Sequence, residues 1–191
     1  MKKLILALLL ISAVSTTAFA STDTYVLDPN HTNARFAIGH FGTSTNHGGF
    51  YNLTGEIRID NKNQTGAMTI VIPVASINSG NQQFDDHLKH ADLFNAEQFP
   101  QMTFTSTQWK FVDGKPQTII GNLELLGKTH PVTLNSTRFN CYESPMFDGA
   151  TVCGGDFEAT IDRTQWGMNF MVDAGIPKEV KLSIQVEAVK Q

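Results

Sequence analysis

The sequence predicts an all-β domain, and three observations predict it. Long stretches alternate apolar and polar residues, the cleanest being Val180-Lys-Leu182-Ser-Ile184-Gln-Val186-Glu-Ala188 near the C-terminus. Side chains in a strand point to opposite faces with period two, so each such stretch has one face to bury. Turn-forming residues recur between the stretches, among them Asp60-Asn61-Lys62-Asn63 and Asp113-Gly114, and these reverse a chain readily. Only residues 84–94 read instead with helical spacing, through Phe84, Leu88 and Ala91. Such a chain either stacks two sheets or closes one sheet on itself.

Taken in order, the pattern gives eight or nine strands. A short one covers 25–27. The next, 34–41, carries Phe36, Ile38 and His40 on one face, and Gly48-Gly49 then breaks the pattern. Residues 50–60 keep Leu53, Gly55, Ile57 and Ile59 in phase, and 67–75 do the same with Met68, Ile70, Ile72 and Val74. The short helix follows, ended by Phe99-Pro100. Strand character resumes at 102–111, 118–126, 132–139, 156–161 and 180–189, and residues 162–177 form a long connection containing Trp166, Met168, Phe170 and Met171. Eleven strand residues at about 3.4 Å each span about 37 Å, well beyond the usual ~17–20 Å. Long antiparallel strands fit an elongated, eight-stranded up-and-down barrel, which removes exposed edges; an open sandwich fits the same composition. Eight strands leave room for filling side chains or one small ligand, and a tall, narrow barrel favours a long one.

The N-terminus is set apart from this pattern. Lys2 and Lys3 precede an apolar run at residues 4–14, and Ala18-Phe19-Ala20 has the small-x-small form of a cleavage site. Residues 1–20 therefore read as a cleaved secretory signal peptide, the apolar run being too short to span a bilayer. Residues 21–191 make one domain placed in the periplasm. Without Lys2 and Lys3 it has twelve basic against eighteen acidic residues. That balance argues against a nucleic-acid partner and against electrostatic docking on anionic lipid. Cys141 and Cys153 read as a disulfide in an exported chain, worth roughly 3 kcal/mol for a loop of this size. Their spacing matches neither a redox C-x-x-C motif nor a zinc knuckle.

No catalytic constellation emerges: there is no G-x-S-x-G elbow, H-E-x-x-H, Walker loop or G-x-G-x-x-G. His87 and His90, near Asp85, Asp86 and Asp92, offer a metal pair without a fixed third ligand, and read as a solvated helix face. His31, after Asp28-Pro29-Asn30, reads as a structural hydrogen-bonding group. His40 shares a face with Phe36 and Ile38, and so either finds a core partner or meets a ligand head group. Residues 166–171 either plug the barrel or line its mouth.

Several local motifs together resemble the YceI-like family of exported, lipocalin-like bacterial proteins that bind polyisoprenoids. The matching residues are Tyr25-Val-Leu-Asp28 with His31-Thr32, then Phe36, His40-Phe41 and Gly55. Ser76-Ile-Asn-Ser-Gly80 follows, with Asp85-Asp-His87-Leu88-Lys89, Asp92-Leu-Phe94 and Phe99-Pro100. Gly121-Asn-Leu123, Leu126-Gly127-Lys-Thr-His-Pro131-Val132 and Asp162-Arg163 with Trp166-Gly167 complete the series. The resemblance covers nearly all of the mature chain. It implies a lipocalin-like barrel whose tunnel holds a long isoprenoid, such as a quinone or a polyprenyl phosphate, and no established catalysis. Phe84 stands where the family usually has arginine. If that arginine meets an anionic head, its loss shifts the ligand here from a pyrophosphate toward a neutral quinone; if it pairs with a carboxylate, the change is structural. The cysteine pair is not a general family feature.

The reading is thus an isoprenoid carrier or store, with no cofactor beyond the bound lipid, a ubiquinone-like quinone or a polyprenyl phosphate. The expected tunnel lining is Phe36, Ile38, Leu53, Ile57, Met68, Ile70, Phe104, Leu123, Leu182 and Ile184, with Trp166, Met168 and Phe170 near the mouth. His40, Asp85 and His87 are the expected head-group contacts. Transient contact with inner-membrane quinone or prenyl enzymes follows from that role, and a greasy mouth leaves room for a homodimer. The rival readings are a quinone-linked redox or metal-dependent enzyme, and a plugged structural barrel without ligand.

Overall fold

The computed structural model describes residues 22–191, so the signal peptide expected over 1–20 lies outside the described residues. Ten strands run in chain order: β1 (Asp23–Leu27), β2 (Asn33–His40), β3 (Ser44–Phe50), β4 (Thr54–Asp60), β5 (Thr65–Pro73), β6 (Gln101–Val112), β7 (Lys115–Leu125), β8 (Lys128–Glu143), β9 (Thr151–Asp162) and β10 (Glu179–Lys190). One helix, α1 (Gln82–Leu88), interrupts them, with single 3-10 turns at Val74–Ser76 and Arg163–Trp166.

All pairings are antiparallel, and β1 pairs with both β4 and β10, which closes the sheet into a barrel. The ten strands fill eight positions. β1 and β2 lie end to end along β10, opposite residues 188–190 and 181–185 respectively. β3 and β4 likewise continue one another, broken at Tyr51–Leu53, where Asn52 adopts φ 56°. The barrel is elongated because β6, β9 and β10 have twelve residues each and β8 has sixteen. Sixteen residues at ~3.4 Å reach about 54 Å.

The alternation read from the sequence survives as burial. Ile57 and Ile59 on β4, Met68, Ile70 and Ile72 on β5, and Ile119, Leu123 and Leu125 on β7 all face inward. The expected turn at Asp113-Gly114 (φ 50° and 73°) holds, and a second two-residue hairpin turn forms at Leu126-Gly127 (φ 52° and 68°), where the sequence reads Leu126 as strand; the backbone twist of both suits antiparallel neighbours. The Asp60 carboxylate accepts from the Asn63 backbone and side-chain N–H groups at 2.9 and 2.8 Å.

Three boundaries differ from the expectation. Gly48-Gly49, read as a break, lies inside β3. Gly48 faces the ring of Phe36, and a Cβ there would collide with it; Gly49 exchanges both backbone hydrogen bonds with Asn78. β8 and β9 extend well past 132–139 and 156–161, because main-chain pairing continues where the polar and Gly-rich sequence carries no alternation. Cys141 and Cys153 are directly paired residues of that extension and are disulfide-bonded. The helix begins before Phe84 and ends at Leu88. The Asn81 side chain accepts from the Phe84 N–H at 3.1 Å and caps it. Residues beyond Leu88 turn back, with the Phe94 N–H donating to the Leu88 carbonyl.

Candidate ligand-binding cavity

The barrel is hollow. A cavity of about 410 Å³ runs through it, bordered by side chains from every barrel strand. Its wall is apolar, and β10 shows this most directly. Val180, Leu182, Ile184 and Val186 point inward yet are only half-buried, because the interior beside them is open rather than filled. Volumes of ~300–1,000 Å³ are typical of small-molecule sites.

Most of the residues expected in the tunnel border this cavity. Phe36 and Ile38 come from β2, Ile57 from β4, Met68 and Ile70 from β5, and Phe104 from β6. Leu123 comes from β7, and Leu182 and Ile184 from β10, while Leu53 sits just before β4. Met168, Phe170, His40 and His87 also border it. Asp85 and Trp166 do not. The Asp85 carboxylate accepts from the Ser79 backbone N–H at 2.7 Å, holding the loop that enters α1. Trp166 is packed into the core, and its indole N–H donates to the Leu123 carbonyl at 3.0 Å. His130 packs edge-on against it, with ring centroids 5.1 Å apart. An indole needs such a partner once buried, so this side chain is spent on structure. Residues 166–171 thus divide: Trp166 fills, while Met168 and Phe170 line.

Two segments roof one end of the barrel. The first is the α1 connection. Phe84, His87 and Leu88 border the cavity, and Phe94 packs on Phe50 of β3 at 5.1 Å between centroids. The second is the loop after β9, held by Arg163. This buried guanidinium donates to the carbonyls of Pro177 (3.0 Å), Met168 (3.0 Å) and Phe170 (2.8 Å). Burial pushes its pKa down, partly offset by the adjacent Asp162 carboxylate. The segments meet where His87 lies edge-on to Phe170 at 5.3 Å. Beside them Phe41, Phe170 and Met171 border the cavity while exposing 37–45% of their surface, which makes an apolar rim. His40 ends β2 at this rim, exposed and edge-on to Phe41 at 4.8 Å. It therefore lies at the mouth and not in a greasy interior, because the inward alternation of β2 reaches its last residue at the barrel's end.

Sequence reasoning missed Arg163, Trp109 and Phe139 as lining residues. Nothing in a lone Arg after an Asp signals a cavity wall. Trp109 follows a register shift between β6 and β7 at Ser106/Gln108, which puts it out of phase with Phe104. Its indole N–H is buried without a hydrogen-bond partner among the described residues.

A YceI-like domain profile matches residues 25–188. The chain belongs to the YceI-like family. A Salmonella arizonae relative, Protein YceI, is 34% identical over 195 residues, covering 100% of both chains. The Campylobacter jejuni YceI crystal structure superposes with a TM-score of 0.65 at 21% identity, covering 98% of this chain and 99% of that one. A polyisoprenoid binding domain from Saccharophagus degradans gives 0.64 at 15% identity over 87% and 98%. The YceI-like fold is thus shared even where identity is low, and in this member it encloses the cavity described above.

Proposed function

We propose that the protein is a non-catalytic carrier or store that encloses the hydrocarbon tail of an isoprenoid lipid in its barrel. The observation that carries this reading is the continuous apolar cavity of about 410 Å³ opening through a rim of Phe41, Phe170 and Met171. Each methylene withdrawn from water contributes ~0.8 kcal/mol, so several isoprene units outweigh the cost of ordering the chain. The Saccharophagus degradans relative, described as polyisoprenoid binding, supports the ligand class.

A neutral, ubiquinone-like head suits the mouth better than a phosphate. Phe84 borders the cavity on α1, and Arg163 already spends one donor of each guanidinium nitrogen on a backbone carbonyl. His40 and His87 border the cavity near the rim and would meet a quinone oxygen there. The leader over residues 1–20 would put this exchange in the periplasm, where the mouth can meet inner-membrane quinone or prenyl enzymes. Native purification, organic extraction and mass spectrometry test the proposal. Recovery of an isoprenoid, or uptake of added short-tail quinone into emptied protein, is the expected result. An empty extract with no uptake of either quinone or polyprenyl phosphate overturns it.

A further inference from the structure

His87 and His90 are three residues apart, and the fold supplies the third partner that the sequence leaves open. The chain turns back after α1 and brings Asp92 to them, so that one ligating atom from each residue lies within 4.8 Å of the others. The neighbouring carboxylates are occupied elsewhere: Asp85 accepts from the Ser79 N–H, and Asp86 pairs with Lys89. His87, His90 and Asp92 form no side-chain hydrogen bond or ion pair with any other described residue, which leaves their ligating atoms unengaged.

The turn that presents them is well fixed. The His90 N–H donates to the His87 carbonyl at 3.1 Å, and the His90 carbonyl accepts from the N–H groups of Leu93 and Asn95 at 3.1 and 2.8 Å. Leu88 and Leu93 anchor it in the core. His90 and Asp92 remain exposed, and the two imidazoles meet edge-on at 5.9 Å. In a tetrahedral zinc site with Zn–N of ~2.0–2.1 Å the ligand atoms are about 3.3 Å apart. The three ligating atoms already lie within 4.8 Å of one another, so binding would draw them together by up to about 1.5 Å.

We propose that His87, His90 and Asp92 bind a divalent transition-metal cation of the zinc class. Two imidazoles and one carboxylate select zinc or copper over calcium or magnesium, which favour all-oxygen shells. Three protein ligands leave a coordination position open. Because His87 borders the cavity, that position stands at its mouth. The inference does not depend on the lipid reading.

The test is calorimetric titration of chelator-stripped full-length protein with zinc chloride alone. One zinc per chain is expected. His90→Ala and Asp92→Asn should each weaken binding about tenfold or more, since loss of even an outer-sphere partner costs ~10–100-fold. His47→Ala, on β3, should bind as the wild type does. No saturable zinc uptake, or uptake undiminished in the His90→Ala/Asp92→Asn double variant, overturns the site. Both substitutions are at exposed positions, so the double variant keeps its fold, which far-UV circular dichroism verifies.

Discussion

Arg163 is the one buried cation among the described residues, and its three carbonyl partners tie the mouth loop to the barrel. Hydrogen bonds from a charged donor contribute ~1.5–3 kcal/mol each. Arg163→Leu should therefore lower unfolding free energy by about 3 kcal/mol or more, measured by urea titration. Arg163→Lys should recover less than half of the loss, because an ammonium lacks the planar fork. A smaller hydrogen-bonded pair closes the turn between β1 and β2, where His31 Nδ1 meets Asp28 Oδ2 at 2.7 Å. Burial pushes the Asp28 carboxyl up, but hydrogen bonds from His31 and the Asn30 N–H outweigh it and hold its pKa low. The same contact raises that of His31. Stability from Asp28 is present above about pH 4 and is lost as pH falls through its folded value. Stability from His31 is present below about pH 6.5 and is lost as pH rises through its raised folded value. His31→Ala should flatten the alkaline limb of the stability–pH curve, read as urea midpoints across that range; an unchanged limb would mean the pair contributes nothing. Trp109 supplies an optical readout of binding. It borders the cavity and Trp166 does not, so a short-tail quinone should quench wild-type emission and leave most of the Trp109→Phe emission intact.

Among the elements, those with apolar alternation were legible and those stabilised by other means were not. β4, β5, β7 and β10 could be read because most of their inward positions carry Ile, Leu, Val or Met. β3 could not, since its inward residues are Asn46, Gly48 and Phe50, and Gly48 is small for the sake of the Phe36 ring. Gly48→Val should push that ring off its site at a cost of ~1–3 kcal/mol. The site followed the same logic. Inward strand positions were predictable from phase, whereas Arg163 and Trp109 entered the wall through a loop clamp and a bulge, neither of which leaves a periodic trace. Asp85 and Trp166 carried the right residue types but were drawn into holding the loop before α1 and into core packing. The β8–β9 hairpin extends with little apolar alternation and carries the disulfide, which joins residues twelve apart. Replacing both cysteines by serine should cost about 3 kcal/mol, seen as a lower denaturant midpoint that matches the wild type under reducing conditions.

At the scale of the whole molecule, the cavity is expensive. A hollow core forgoes the packing contacts that a filled one would make along its walls, and that loss grows with the volume left open. A barrel of this girth can be filled by larger side chains, yet here β10 presents only Val180, Leu182, Ile184, Val186 and Ala188 to the open space. Ile184, opposite Ala34 and Phe157, is the position at which to refill it. Ile184→Trp should project an indole into the channel and block an extended tail. Because the space is already open, the substitution should leave the thermal midpoint unchanged or raise it, in contrast to the ~1–3 kcal/mol penalty of overpacking a filled core. The two readouts decide together. A stable variant that no longer takes up short-tail quinone means the hollow centre is the binding site. A strongly destabilised variant means the interior closes in solution, and a stable variant with full uptake means the lipid binds elsewhere.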